Sequence, residues 1–261
     1  MVQKLLSSLP KEIKWKLLYK SFGAVLALGF AYLLGFSFFG CLVYFAALIA
    51  LYYSEFSSRQ VRTSFWFLGV LALLGLYAVT LSLPSFFAAS IIKLLILLAF
   101  GTLLYFVLVD LNYLLAERSL WYRLLHSLVL FFTFVELFLI APAPGSESFF
   151  PLFFWLVGVF VAITLLFREA FSFLGVGISR SLRLVPVSLG VLAAEVSMLV
   201  LFLPLGFLNA GAFLAVVFIL LRDALSMHFE GSLSFSFILK ELTFFAVFAS
   251  ILFAATPWLL P

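Results

Sequence analysis

Nine apolar stretches fill this 261-residue chain, and all but one of its 15 lysines and arginines fall in the same alternate set of connections between them. A membrane-crossing helix needs about 20 mainly apolar residues, with about 17 to 25 workable. The stretches cover residues 17–36, 37–53, 64–83, 86–108, 124–141, 150–167, 185–204, 208–221 and 241–260. Lipid offers the backbone no hydrogen-bond partner, and continuous apolar runs lack the alternation of a barrel strand, so each is expected to be a helix. The second and eighth are short, and a half-span at either would lower the count.

Apolar residues make up 66% of the chain and charged residues 10%, against about 45–50% and about 25% in soluble domains. A soluble fold of this length has too little interior to hide so much apolar surface. The expected fold is therefore all-α: a polytopic integral membrane helix bundle, one membrane-embedded domain over residues 1–261.

Turn residues divide the runs at Phe36-Ser37, Leu83-Pro84-Ser85, Ala141-Pro142-Ala143-Pro144-Gly145 and Pro204-Leu205-Gly206, and these connections carry no Lys or Arg. The opposite connections hold Lys4, Lys11, Lys14, Lys16, Lys20, Arg59, Arg62, Arg118, Arg123, Arg168, Arg180, Arg183, Arg222 and Lys240. By the positive-inside rule that side is cytoplasmic, with the N-terminus in and the C-terminus out. The basic N-terminus precedes an apolar run without a small-x-small cleavage site, so that run reads as a retained first helix.

The net charge of +4 does not point to nucleic acid, because the basic residues are spread along one membrane face instead of clustered. The expected partners are membrane lipids and another membrane protein. Cys41 is the single cysteine and lies in an apolar run, so it carries no disulfide or redox signal. No cofactor motif is present. Gly23, Ala27, Ala31 and Gly35 recur every four positions, a small-residue stripe that lets another helix approach closely, and Gly190 with Ala194 repeats the spacing.

A faint repeat joins residues 64–141 to 185–260. Leu68-Gly69-Val70-Leu71-Ala72 matches Leu189-Gly190-Val191-Leu192-Ala193, and Asp110, Glu117, Ser119 and Leu120 match Asp223, Glu230, Ser232 and Leu233. Duplication would make these parallel repeats; apolar segments also share Leu, Gly and Ala by chance. The segments Leu115-Ala116-Glu117-Arg118 through Tyr122-Arg123-Leu124-Leu125-His126, His228-Phe229-Glu230-Gly231 and Lys240-Glu241-Leu242 resemble an uncharacterised family of multi-pass membrane proteins from candidate-phyla bacteria. The resemblance implies a bacterial plasma-membrane location and no activity.

Three ionisable residues fall inside the apolar runs: Lys93, Glu136 and Glu195. A charge near the bilayer centre costs at least about 2.5–3.5 kcal/mol, so each should be paired, neutralised or useful. Counted from the outer ends of their helices, the three share a depth. The expectation is that Lys93 pairs with Glu136 across adjacent helices and Glu195 lies close by, as a proton-coupled site would require. The competing reading is a structural pair, with Glu195 hydrogen-bonded to a neighbouring helix.

At the cytoplasmic rim, Asp110, Glu117, Arg118, His126, His228 and Glu230 form a second candidate cluster. It contains neither HExxH nor a zinc-ligand spacing, so no metal is assigned and solvated rim charges are the plainer reading. Three functions stay open: a small-solute or proton-coupled transporter, a structural or assembly subunit of a membrane complex, and, more remotely, an integral-membrane enzyme working at the cytoplasmic face. No catalytic residue is assigned.

Overall fold

The computed structural model describes residues 11–55, 62–82, 87–113, 118–142, 149–173 and 184–255. Among them are nine helices and no strand: α1 (Lys11–Leu33), α2 (Phe38–Glu55), α3 (Arg62–Ser82), α4 (Phe87–Tyr113), α5 (Arg118–Leu139), α6 (Phe149–Phe173), α7 (Leu184–Leu201), α8 (Phe207–Phe229) and α9 (Phe235–Ala255). Six segments are long and apolar enough to cross a membrane: Trp15–Leu33, Tyr122–Leu139, Phe149–Ser172, Leu184–Leu201, Phe207–Phe229 and Phe235–Ala254. Phe38–Leu51, Phe65–Tyr77 and Lys93–Tyr105 are apolar but shorter. Helices of this length and composition are those of a membrane protein. They form two compact units, Met1–Leu125 and His126–Pro261, with the division inside α5.

In the first unit α1 packs on α2 and α4, and α3 packs on α4. Leu28, Ala31, Tyr44, Leu48, Leu76 and Leu104 form the centre of its core. The α1–α2 turn follows from its residues. Gly35 takes a left-handed φ of 61°, its N–H donates to the Tyr32 carbonyl, and the Phe36 N–H donates to the Ala31 carbonyl. That pair of bonds closes a helix C-terminus, and glycine adopts the conformation without a Cβ penalty. Phe36 is also left-handed, at φ 54°. Its ring is held edge-on to Tyr77, centroids 5.3 Å apart, and to Tyr32 at 6.0 Å. Ser37 then caps α2, its hydroxyl accepting from the Gly40 N–H.

The small-residue stripe is used only in part. Gly23 faces open space, and Gly35 belongs to the turn. The close approach is instead between Ala31 and Gly40, where a Cβ on Gly40 would stand 3.1 Å from the Ala31 Cα.

In the second unit α5 and α6 run antiparallel. The Trp155 indole N–H donates to the Leu137 carbonyl, 2.6 Å, and His126 bonds the Leu166 carbonyl, 3.0 Å. These two links lie the same number of residues apart on both helices, so the pair keeps register over about 16 Å. Gly190 brings α7 against Thr164 and to 2.8 Å of the Phe160 carbonyl, measured from an ideal Cβ. Gly211 seats α8 on α5, where the same Cβ would meet the Val135 Cα at 2.6 Å. α9 meets α8 through Phe213, whose ring lies near Phe245 and Phe253. No residue of the α9 apolar window is fully buried, and Phe237, Glu241, Phe248 and Leu252 are half-buried along one face.

Several helices run beyond their apolar stretches, by about a turn and a half at the starts of α1 and α5 and at the ends of α4 and α6; α8 and α9 differ in ways that move polar residues. The eighth run, 208–221, is part of a 23-residue helix that continues through Arg222, Asp223 and His228 to Phe229. It ends at Gly231 (φ 69°), with the Ser232 N–H on the Met227 carbonyl and the Gly231 N–H on the His228 carbonyl. Polarity at Arg222 resembled a span end, yet the residue is inside the bundle. The ninth helix begins at Phe235, capped by Ser234, so Lys240 and Glu241 are helical.

Candidate functional site

Arg222 is 1% exposed, the largest fully buried side chain among the described residues. A guanidinium is always charged and offers donors only, so this placement requires acceptors, and α5 and α8 supply them. Nε donates to Asp223 Oδ1 at 2.9 Å, one terminal nitrogen to His126 Nδ1 at 3.0 Å, and the other to Ser127 Oγ at 3.0 Å. Asp223, one-quarter exposed, is the counter-charge and leads the centre toward the surface.

His126 is completely buried. The Leu166 carbonyl can only accept and the guanidinium can only donate, so these neighbours select a neutral imidazole with its proton on Nε2. The ring is then fixed from both sides. Ser226, buried one turn beyond Arg222, returns its hydroxyl to the Arg222 carbonyl at 2.8 Å. Glu169, also buried, follows Leu166 by three residues on α6. Around this polar knot Phe134, Phe167 and Phe218 are fully buried, with Phe218 centroids 5.3 Å from Phe134 and 6.1 Å from Phe167. Excluding water strengthens the charge-assisted bonds, as it raises the cost of leaving one unmade.

A second polar group lies farther along α5. Glu136 is 9% exposed, and its Oε2 is buried with no hydrogen-bond partner; Thr133 Oγ1, one turn earlier, is in the same condition, as are Thr164 Oγ1 and Ser197 Oγ. The Trp155–Leu137 bond puts Glu136 at the level of Trp155 on α6. Thr133 lies about 4.5 Å from Glu136 along the helix axis.

Glu195 lies within a turn of Ser197 but points outward. It is exposed on α7, on the same side as Val191, Leu192, Met198 and Leu199, and it makes no hydrogen bond or ion pair among the described residues. Of the two acids in the second unit, Glu136 is buried and Glu195 exposed.

Lys93, in the first unit, is half-buried on α4. Its Nζ donates to the Tyr32 hydroxyl at 3.3 Å and stands 5.1 Å from that ring's centroid. An apolar groove lined by Val25, Phe30, Leu33 and Leu97 lies beside Tyr32.

Of the rim residues, His126 is in the arginine centre, while His228 and Glu230 are exposed at the end of α8. Glu117 and the side chains of Asp110 and Arg118 lie outside the described residues. Among those described, no three His, Cys, Asp or Glu side chains gather as a metal site would need. Sequence reasoning missed Arg222 by grouping it with the orienting charges. The usable signal was length: residues 208–221 are too few to cross, so the helix had to continue through Arg222. Comparison with known proteins returns no matching family model, no matching curated protein and no matching solved structure, so the residues themselves carry the functional reading.

Proposed function

We propose that this chain is a nine-pass transporter, N-terminus in and C-terminus out, which moves a proton or a proton-coupled small solute through its second unit. The carrying observation is Glu136, a buried carboxyl with an unpartnered oxygen, one turn from Thr133, whose hydroxyl is likewise buried and unpartnered. Buried polar groups are nearly always hydrogen-bonded, and intramembrane carboxyls facing a bundle interior mark proton and solute paths. Glu136 is the proton-binding group in this reading, the Thr133 hydroxyl lines its path, and the Arg222–His126 centre braces α5 against α6 and α8. Antiparallel packing of α5 on α6 supports successive crossings, and the charge asymmetry supports the orientation. A bacterial plasma membrane is the setting that the family resemblance suggests.

The test uses liposomes loaded with a pH-sensitive dye and given a potassium diffusion potential. Wild-type protein is expected to acidify or alkalinise the lumen faster than protein-free vesicles, and Glu136→Gln to lower that rate at least tenfold. Equal rates in wild type, Glu136→Gln and empty vesicles would refute the proposal.

One observation favours a second reading, an assembly subunit: the outward-facing Glu195 offers a carboxyl to a neighbour in the membrane.

A further inference from the structure

We propose that the first unit binds one anionic phospholipid, with its phosphate on the Lys93 ammonium and the Tyr32 hydroxyl and an acyl chain in the groove beside α1. The site does not depend on proton movement through the second unit.

Two contacts place the charge. A Cβ on Gly101 would stand 2.7 Å from a Val25 methyl, and Lys93 Nζ bonds the Tyr32 hydroxyl, so α4 runs antiparallel to α1. The end of α1 and the start of α4 therefore share a side. Lys93 is six residues after the start of α4, about 9 Å from it. Its side chain leans toward the α4 N-terminus, so the ammonium reaches back toward the nearer membrane surface, as a lysine stem in lipid does. Tyr32 is one residue from the end of α1, and the ammonium stands 5.1 Å from its ring centroid.

Among the described residues no carboxylate answers this charge. Asp110 is about 25 Å farther along α4, and Glu55 ends α2 away from the α1–α2 turn. A charge held in lipid needs a partner. Tyr32 takes one of the three ammonium donors and keeps its own hydroxyl proton to give, so the pair presents three donors to an anion. Phosphate oxygens accept such charge-assisted bonds.

The apolar groove begins at this pair. Tyr32 forms part of its wall, and Leu97, one turn after Lys93 on the same face of α4, forms another. Leu26, Phe30 and Leu33 are exposed beside it, so the groove opens to the bilayer. Gly29 lies midway, and a Cβ there would meet nothing within 4 Å. The groove runs about 12 Å from Val25 to Leu33 and holds about 690 Å³. Its mean section, about 60 Å², is below the roughly 80–110 Å² of a helix about 10–12 Å across. A helix would ride over such a groove, whereas a hydrocarbon chain lies along it. A phospholipid supplies that chain and brings a phosphate to the groove's cationic end.

The test uses phosphatidylglycerol with a photoactivatable diazirine on one acyl chain, as a minor component of phosphatidylcholine vesicles holding the full chain. Phosphatidylcholine with the same diazirine is the zwitterionic control, and peptide mass spectrometry locates the label. Phosphatidylglycerol is expected to label α1 between Val25 and Leu33, and Leu97, at least about fivefold above the control, the effect of one basic residue near a lipid charge. Lys93→Met should remove that preference and Lys93→Arg should keep it. Gly29→Leu fills the groove and leaves the Lys93–Tyr32 bond in place; it should remove the label while circular dichroism shows an unchanged helical content. Excess glycerol phosphate, which has no acyl chain, should leave the label as it was.

Equal labelling by the two lipids, or a preference that survives Lys93→Met, would overturn the proposal, since the groove would then hold only bulk lipid. Label that survives Gly29→Leu would overturn it as well. Displacement by glycerol phosphate would make the ligand a soluble anion, and absence of label from either lipid would mean that another helix covers the groove; each outcome ends the lipid assignment.

Discussion

Replacing Arg222 with methionine tests whether the arginine centre holds α5 to α8. Methionine keeps most of the length and apolar stem but removes three donated bonds, to His126, Ser127 and Asp223. Asp223 is 25% exposed and finds water, so the loss falls on the His126 Nδ1 and the Ser127 hydroxyl. A buried acceptor left unmade costs about 1–3 kcal/mol, while hydrogen bonds between membrane helices average only about 0.6 kcal/mol. Two such groups, one of them fully buried, give a loss of about 2–3 kcal/mol, or about 30- to 150-fold in the folded-to-unfolded ratio. His126→Leu instead strands guanidinium donors and should cost about 1.5–3 kcal/mol. Combining the two removes both halves of one bond, so the double variant should be about 1–2 kcal/mol less damaged than the sum. Reversible unfolding in mixed micelles, followed by far-UV circular dichroism, measures all three. Strict additivity, or an Arg222→Met protein as stable as wild type, would refute the bracing role.

Glycine substitutions should separate helix contacts from open faces. Gly211→Ala puts a methyl against the Val135 backbone, where no side chain can turn aside, and should cost about 1–3 kcal/mol by thermal melting. Gly23→Ala meets nothing within 4 Å and should leave the melting temperature unchanged or raise it. In the first unit, Tyr44→Phe deletes the buried bond from the hydroxyl to the Gly69 carbonyl at 2.8 Å. The carbonyl keeps its place in the α3 ladder, so the same assay should show a loss of about 0.5–1.5 kcal/mol.

Much of the helix inventory was legible because the bilayer acts on short segments: each run must be long and apolar by itself. The turns were legible for a similar local reason, as at Phe36-Ser37 and Pro204-Leu205-Gly206. Legibility failed where a polar residue had to be assigned to a span or to its rim. Arg222 and Asp223 resemble a cytoplasmic edge, and only the acceptors His126 and Ser127, nearly a hundred residues earlier, turn that edge into an interior.

Sequence by itself determined that the chain is helical, that its solvent is lipid, and which residues are costly there, because these follow from hydrophobicity and length. Tertiary structure alone decided which way those residues face. In water an amphipathic helix announces its buried side; α7 is apolar around most of its circumference, so neither Ser197 nor Glu195 declares a direction. Contact between Gly190 and Thr164 orients α7, turning Ser197 inward and Glu195 out. Packing of Gly211 on Val135 likewise carries Arg222 to His126. Such directions are set by close approach between distant segments, and that information lies in no single run.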